Sequence, residues 1–340
     1  MDFGLTLTTH GLMTRDDAGD AQLLRLDVED MHPIEDSIRA EALGFHSVWL
    51  SDHVVTERVS IGEHTANSSG KRAYPDRPNL LDVPTTMAAI AARTTTLRFA
   101  PSVHIAPYRH PLSTAHEMAT IDVLSGGRVI MAVGVGWELG EFEAMSASFE
   151  HRGSVTEECI EIMKLAWTEP WISYAGKHFQ FGDVSMDPKP VQRPHPPIWY
   201  GGMTKAAARR AAKLCTGLYP MFLDAHGRPE KMDHLREEVK REGERLGRDL
   251  SDFRLGGFCT IRLCDDSEIA SRFGGTRPML TGSAEQVLSD LQEYADHGYS
   301  HITVHLDTPS GQISEWKEQL ERFAAEVLSM APQLDAGDGF

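Results

Sequence analysis

Apolar positions along this chain alternate between two rhythms: short runs of the kind that fill a strand, and longer segments where apolar residues fall every three or four positions. Phe3–Thr8 is a short apolar run that predicts a strand. His32–Leu43 follows, with Ile34, Ile38 and Ala42 at helical spacing and Gly44 placed as a C-terminal cap. Ser47–Leu50 predicts the second strand, Pro84–Arg93 a helix opened by proline, Leu97–Val103 the third strand and Pro111–Leu124 the next helix. Val129–Gly136 predicts a fourth strand, and Ser154–Thr168 a helix with Val155, Cys159, Ile162, Met163 and Ala166 on one face. The rhythm continues through Ile198–Tyr200, Lys205–Leu214, Leu218–Phe222, Pro229–Leu246, Phe253–Ile261, Ser283–Ala295, His301–Leu306 and Ile313–Leu328. Ser283 and Gln286 form a capping box at the start of one of these helices.

Three stretches break the alternation. After His53 about thirty residues rich in Gly, Ser, Asn, Asp and Pro run to Pro84, a length usually reserved for a lid or a wall of a site. Trp171–Pro197 reads as an inserted hairpin and an extended arm, because prolines interrupt PKPVQRPHPP too often for a helix. Asp265–Gly282, with Gly274 and Gly275, is a third insertion. Eight strand–helix units without linker composition predict an α/β fold, a (β/α)8 TIM barrel with insertions after strand 2, before strand 5 and after strand 7. A single domain over 1–330 and a frayed tail over 331–340 follow from the same pattern.

A barrel of this kind collects its chemistry at the C-terminal strand ends. Those ends carry Thr8 to His10, Asp52 and His53, Ser102 to His104, Gly134 to Trp137, Gly201 to Thr204, Tyr219 and His305. In VIMAVGVGW, Gly134 and Gly136 remove side chains where the chain leaves the sheet, opening backbone to a flat or anionic ligand or simply softening a strand end. The dinucleotide pattern G-x-G-x-x-G fails there, since position 139 is leucine. Gly201-Gly202 feeds a helix N-terminus, where free N–H groups and the helix dipole favour a phosphate.

Composition narrows the partners. With 33 basic and 50 acidic residues the formal charge is −17, and no basic cluster is long enough to track nucleic acid. The opening segment lacks a basic n-region, and no stretch is apolar enough to span a bilayer, so a cytoplasmic protein without a membrane partner is expected. Cys159, Cys215, Cys259 and Cys264 form no C-x-x-C pair, and the helix HEMAT has Thr120 where a zincin needs its second histidine. No metal is expected. An unrelated metal-dependent hydrolase also lacks a second acid near Asp52 to complete a ligand set.

Taken together, WLSDH, HPLSTAHEMATIDVLSGGRVIMAVGVGW, EFEAM, HRGSVTEECIEIMKLAWTE and PKPVQRPHPPIWYGG resemble, in this order, the bacterial luciferase-like flavin and deazaflavin oxidoreductases. The resemblance covers about residues 1 to 330. It implies a (β/α)8 barrel, a non-prolyl cis peptide at Ser102-Val103, ring binding by Gly134, Gly136 and Trp137, and a phosphate turn at Gly201, Gly202, Met203 and Thr204. His53 and Asp52 become the catalytic candidates, His53 because its ordinary pKa lies near neutrality. His10, His104 and Tyr219 are the candidate substrate contacts. Luciferases carry two histidines where this chain has Asp52-His53, which argues against light emission.

The resemblance implies a monooxygenase using reduced FMN and O2 on a small organic substrate, with a separate flavin reductase as partner and a homodimer or larger assembly. Two alternatives stand beside it: hydride transfer with the deazaflavin coenzyme F420, and a flavin-binding protein without catalysis. Segments 54–83 and 265–282 are expected to close over the substrate, with Tyr74, Tyr108, Met203, Tyr219, Met221 and Phe222 as apolar walls.

Overall fold

The computed structural model describes residues 1–16, 19–58, 73–222 and 227–334. Eight parallel strands form its centre: β1 (Asp2–Thr6), β2 (Ser47–Leu50), β3 (Arg98–Pro101), β4 (Met131–Gly134), β5 (Ile198–Gly201), β6 (Gly217–Tyr219), β7 (Arg254–Leu263) and β8 (His301–Leu306). Each pairs with its neighbours in chain order, and β8 returns to β1 with Leu5 opposite Val304. The ring closes between β3 and the residues leading into β4, where Phe99 N–H donates to the Arg128 carbonyl at 3.2 Å and Ile130 N–H to the Phe99 carbonyl at 3.0 Å. Closure removes the sheet edges that would otherwise invite pairing with other chains.

The connecting helices are α1 (Pro33–Leu43), α2 (Val83–Ala91), α3 (Pro111–Ser125), α4 (Arg152–Thr168), α5 (Lys205–Leu214), α6 (Asp233–Leu246), α7 (Ala284–Asp296) and α8 (Ile313–Glu326). This is the (β/α)8 barrel that the alternating pattern predicts. Gly44 closes α1 in the left-handed conformation at φ 91°, a cap that glycine adopts without a Cβ penalty, and Ser283 and Gln286 form the capping box of α7.

The barrel is filled, not hollow. Trp49, Trp199 and Tyr219 meet across its interior, Trp49 and Tyr219 stacked with centroids 4.6 Å apart and planes 19° from parallel. Such pairs contribute roughly 0.5–1.5 kcal/mol beyond the apolar area they bury. The rings fit because small residues face them: a Cβ on Gly4 would lie 2.6 Å from a Trp49 ring carbon, and one on Gly256 3.0 Å from Tyr219.

Four local departures from the sequence pattern shape the mouth. The run after β1 continues into an antiparallel hairpin, Leu12–Arg15 with Ala21–Leu24, which the polar residues around it conceal. β3 does not run on to Val103: it stops at Pro101 and resumes as His104–Ile105 paired to β4, with a cis Ser102-Val103 bond between. The sixth run splits at Pro220, which has no N–H for the ladder, into β6 and Met221–Phe222. The insertion after β7, to which the pattern assigned no element, contains a helix, Asp266–Phe273. Trp171–Pro197 does form a hairpin, Ile172–Ala175 with Gln180–Val184, followed by an arm with cis bonds before Pro188 and Pro194. Most of the expected lid, 59–72, lies outside the described residues, as do 335–340 of the tail; Leu328–Gln333 forms a short 3-10 helix.

Candidate active site

A cavity opens at the C-terminal ends of the strands, with Met13 and Leu23 of the early hairpin, Val103, Ile105, Trp137, Met221 and Phe258 as its apolar lining. His10, Ser51, Asp52, His53, Tyr74, Ser102, Glu141 and His305 supply the polar groups. An apolar hollow with a few convergent polar groups is the usual form of a ligand site.

β2 ends at Leu50, and Ser51-Asp52-His53 leaves it across the mouth. His53 Nδ1 lies 2.9 Å from Glu141 Oε2, and His53 Nε2 lies 2.9 Å from the Tyr74 hydroxyl. Glu141 sits on the short helix Leu139–Ala144 after β4. Its Oε1 accepts from Val54 N–H at 2.7 Å and its Oε2 from the Tyr108 hydroxyl at 3.0 Å. Both partners are withdrawn from water, with side chains 8% and 1% exposed. Burial by itself would lower the His53 pKa; the bond to Glu141 and the charges of Glu141, Glu138 and Asp52 outweigh it and hold the imidazole above its ordinary value. Sequence reasoning missed Glu141, because an acid in GEFEAM reads as a solvated helix face.

Asp52 faces a different set of partners. Arg109 donates to both of its oxygens at 2.7 and 2.8 Å, and Ile105 N–H donates at 2.9 Å. Burial opposes ionisation, but His104, Arg109 and the Ile105 N–H hold the carboxyl below its usual range. Asp52 thus ties the mouth of β2 to the segment after the cis bond. That arrangement orients neighbours and leaves the carboxylate little capacity to exchange protons.

His10 and His305 lie side by side on the cavity, centroids 5.6 Å apart. His10 Nε2 meets the Ser51 hydroxyl at 3.2 Å, while the Nδ1 atoms of both histidines are buried without a hydrogen-bond partner. Burial, helped by the charge of His53, lowers the His10 pKa to about 3, and burial also lowers that of His305. Both rings are neutral at physiological pH, and each has a ring nitrogen available to a bound group.

Two expected substrate contacts fall elsewhere. His104 is buried behind the mouth, its Nδ1 3.7 Å from Asp52 and its Nε2 3.4 Å from the Thr114 hydroxyl, and burial lowers its pKa to about 4. Tyr219 belongs to the aromatic filling of the barrel, stacked on Trp49 below the cavity. Tyr108 reaches Glu141 and stands behind the wall, whereas Tyr74 and Met221 line the cavity; the Phe222 side chain lies outside the described residues.

The glycines at these strand ends pack closely against the protein's own side chains. A Cβ on Gly134 would lie 2.4 Å from Val103 Cγ2, one on Gly201 2.8 Å from Val103 Cγ1, and one on Gly136 2.8 Å from Phe142. The space they vacate is filled by the protein itself, and it seats Val103 on the cavity wall beside the cis bond. Gly202 has φ +154°, a Cβ there would be 2.8 Å from that of Ala207, and its N–H donates to the Tyr219 carbonyl at 3.3 Å. Thr204 caps α5 by accepting from Ala207 N–H at 3.1 Å, and Met203 completes the turn between them.

The filled parallel barrel, with its cavity at the C-terminal mouth of the strands, is a TIM barrel whose hollow lies where such barrels place their chemistry. The sequence agrees: a profile of the luciferase-like monooxygenase family matches residues 1–272, and the chain belongs to that family. It is 26% identical over 282 residues to an FMNH2-dependent dimethylsulfone monooxygenase of Pseudomonas putida, covering 73% of this chain and 77% of that one. Among solved structures, the monooxygenase RslO1 of Streptomyces bottropensis aligns with a TM-score of 0.73 at 20% identity, over 97% of this chain and 99% of the other. An F420-dependent secondary alcohol dehydrogenase aligns with a TM-score of 0.66 at 17% identity, over 94% and 97% of the two chains. Of these, the Pseudomonas putida relative is FMNH2-dependent, and the alcohol dehydrogenase that shares the fold is F420-dependent. None of the described helices is long and apolar enough to cross a membrane.

Proposed function

We propose that the chain is a monooxygenase that takes reduced FMN from a separate reductase and uses O2 to oxygenate a small organic substrate. The observation that carries this reading is the cavity itself: an apolar, partly enclosed mouth with one imidazole, His53, held by Glu141 and raised in pKa by it. Two buried nitrogens without partners, His10 Nδ1 and His305 Nδ1, fit a bound group that completes their hydrogen bonding. Ser102, Val103, Gly136 and Trp137 would hold the ring, and Gly202, Met203 and Thr204 its phosphate.

Reduced FMN, when bound, supplies the electrons that activate O2. The protein's own work is then positional and electrostatic. Val103, Ile105, Trp137 and Phe258 exclude water from the reacting region. His53, whose pKa Glu141 raises, lies with Nε2 against the Tyr74 hydroxyl and, when protonated, can deliver a proton into the cavity. His10 and His305, both neutral, orient polar atoms without adding charge. The relative from Pseudomonas putida supports the FMN reading over F420, since the F420 enzyme shares only the fold.

The test is binding and turnover with each reduced cofactor under 18O2, with dimethylsulfone as the first substrate probe. Tight binding of reduced FMN with one labelled oxygen in the product is the expected result. Preference for reduced F420 with no oxygen consumption would replace the reading with hydride transfer.

A further inference from the structure

At the opposite end of the barrel, where the strands begin, a second concavity lies under the proline-rich arm. Five cations line it: Arg98 at the start of β3, Lys164 on α4, Arg193 of the arm, Arg248 after α6 and Arg254 at the start of β7. Only Asp2 and Asp252 oppose them, leaving an excess of three positive charges (5 − 2) with His46 and His195 neutral. Burial lowers the pKa of both histidines. In a chain of net charge −17 this is a local inversion of sign.

The cations are not there as halves of ion pairs. Among the described residues only Arg254 is paired, with Asp2; Arg98, Lys164, Arg193 and Arg248 have no carboxylate within ion-pair distance. Arg193 and Arg248 donate to backbone carbonyls, and Arg98 to Gln192 Oε1 at 2.8 Å and the Val129 carbonyl at 3.3 Å. Carbonyls satisfy donors without supplying a full negative charge, and Asp122 and Asp2 act on Arg98, and Glu161 on Lys164, only from beyond ion-pair distance. Arg98 Nε is buried with no acceptor at all. Among the described residues the Lys164 ammonium makes no hydrogen bond or ion pair, Glu161 acts on it only from longer range, and burial lowers its pKa. Residues at this end of a barrel ordinarily serve stability, yet like charges gathered around one hollow destabilise the fold unless something negative joins them.

We propose that this pocket binds a multivalent oxyanion of the phosphate class, either free or as the phosphate group of a small metabolite. Several cations spread around one rim suit a group that presents oxygens in several directions, and guanidinium forks match phosphate geometry. The site is independent of the flavin reading, since it lies across the aromatic filling from the active cavity.

The experiment uses the purified full chain. Thermal denaturation and calorimetric titration are run with inorganic phosphate, pyrophosphate and glycerol 3-phosphate, each against KCl at matched ionic strength. A specific ligand raises the melting temperature with the logarithm of its concentration. Pyrophosphate should bind most tightly if the free anion is the ligand, and glycerol 3-phosphate if an ester is. Lys164→Gln should weaken binding at least fivefold, Lys164→Arg should restore it, and the double variant Lys164→Gln, Arg193→Gln should weaken it more than tenfold. Because Lys164 makes no side-chain bond, Lys164→Gln should also melt no lower than the parent without ligand. Equal titrations for parent and double variant, or a melting shift that KCl reproduces, would overturn the proposal.

Discussion

His53 and Glu141, 88 positions apart in sequence, share a hydrogen bond of 2.9 Å at the mouth of the barrel. The carboxylate reaches the imidazole from the helix after β4 and is itself fixed by Val54 N–H and Tyr108. A histidine placed by β2 thereby takes its charge state from an element two strands away.

Removing that carboxylate should move the proton. In Glu141→Gln the alkaline limb of the rate profile, which His53 sets as a proton donor, should shift to lower pH, and His53→Ala should abolish turnover while binding of reduced FMN persists. The bond also contributes stability that is fully present below pH ~6.5 and is lost as pH rises through the raised folded pKa of His53. Glu141→Gln should therefore cost about 1–3 kcal/mol at pH 6 and less at pH 9. Urea titrations at the two pH values check this, and an equal cost at both would detach His53 from Glu141.

Asp52 should behave as a structural anchor. Its carboxyl is depressed in the folded state, so its contribution is present above its unfolded pKa near 3.8 and lost as pH falls through the folded value. Asp52→Asn leaves the Arg109 charge without its partner and should cost roughly 3–5 kcal/mol at pH 7. The companion Arg109→Gln should lose a similar amount, and the double variant less than the sum of the two. Additive losses measured by denaturation would show that the pair does not act as a unit.

Gly134 and Val103 offer a clean packing test. Gly134→Ala places a Cβ 2.4 Å from Val103 Cγ2 and should cost about 1–3 kcal/mol by overpacking. Val103→Ala should relieve most of that cost in the double variant. Absence of coupling in the cycle would mean that Gly134 serves something other than Val103.

Acid should weaken the fold early. His10, His104, His301 and His305 are buried with lowered pKa values, so the unfolded chain binds protons below pH ~6.5 that the folded chain refuses. Each contributes up to about 1.4 kcal/mol of lost stability per pH unit below that point, where His53 is protonated in both states and adds no slope. The urea midpoint should fall steeply between pH 6.5 and 4.5, and His305→Gln should make the fall shallower. A flat profile would mean that these rings are solvated.

The barrel was legible because its evidence is local: eight short apolar runs between eight helical faces, with Gly44 and Ser283 marking helix ends. The mouth was less so, because its partnerships span large separations. Asp52 and Arg109 are 57 positions apart, and nothing around Arg109 signals a partner. Strand ends correctly placed His10, His53 and His305 on the cavity, since alternation decides which face a residue takes. It does not decide depth along the barrel axis, and so Tyr219 and His104, on suitable strands, sit one layer away from the cavity. The hairpin Leu12–Arg15 with Ala21–Leu24 stayed hidden because Arg15 is buried by bonds to Thr281 and the Thr260 carbonyl, contacts with two strands that lie more than 200 positions on.

The stack of Trp49, Trp199 and Tyr219 seals the barrel crosswise. Among the described residues, a molecule that reaches the upper cavity therefore finds no passage down the barrel axis to the other end. The two ends of the molecule are separate compartments, and anything sensed at the lower one must be conveyed through the solid wall of the barrel.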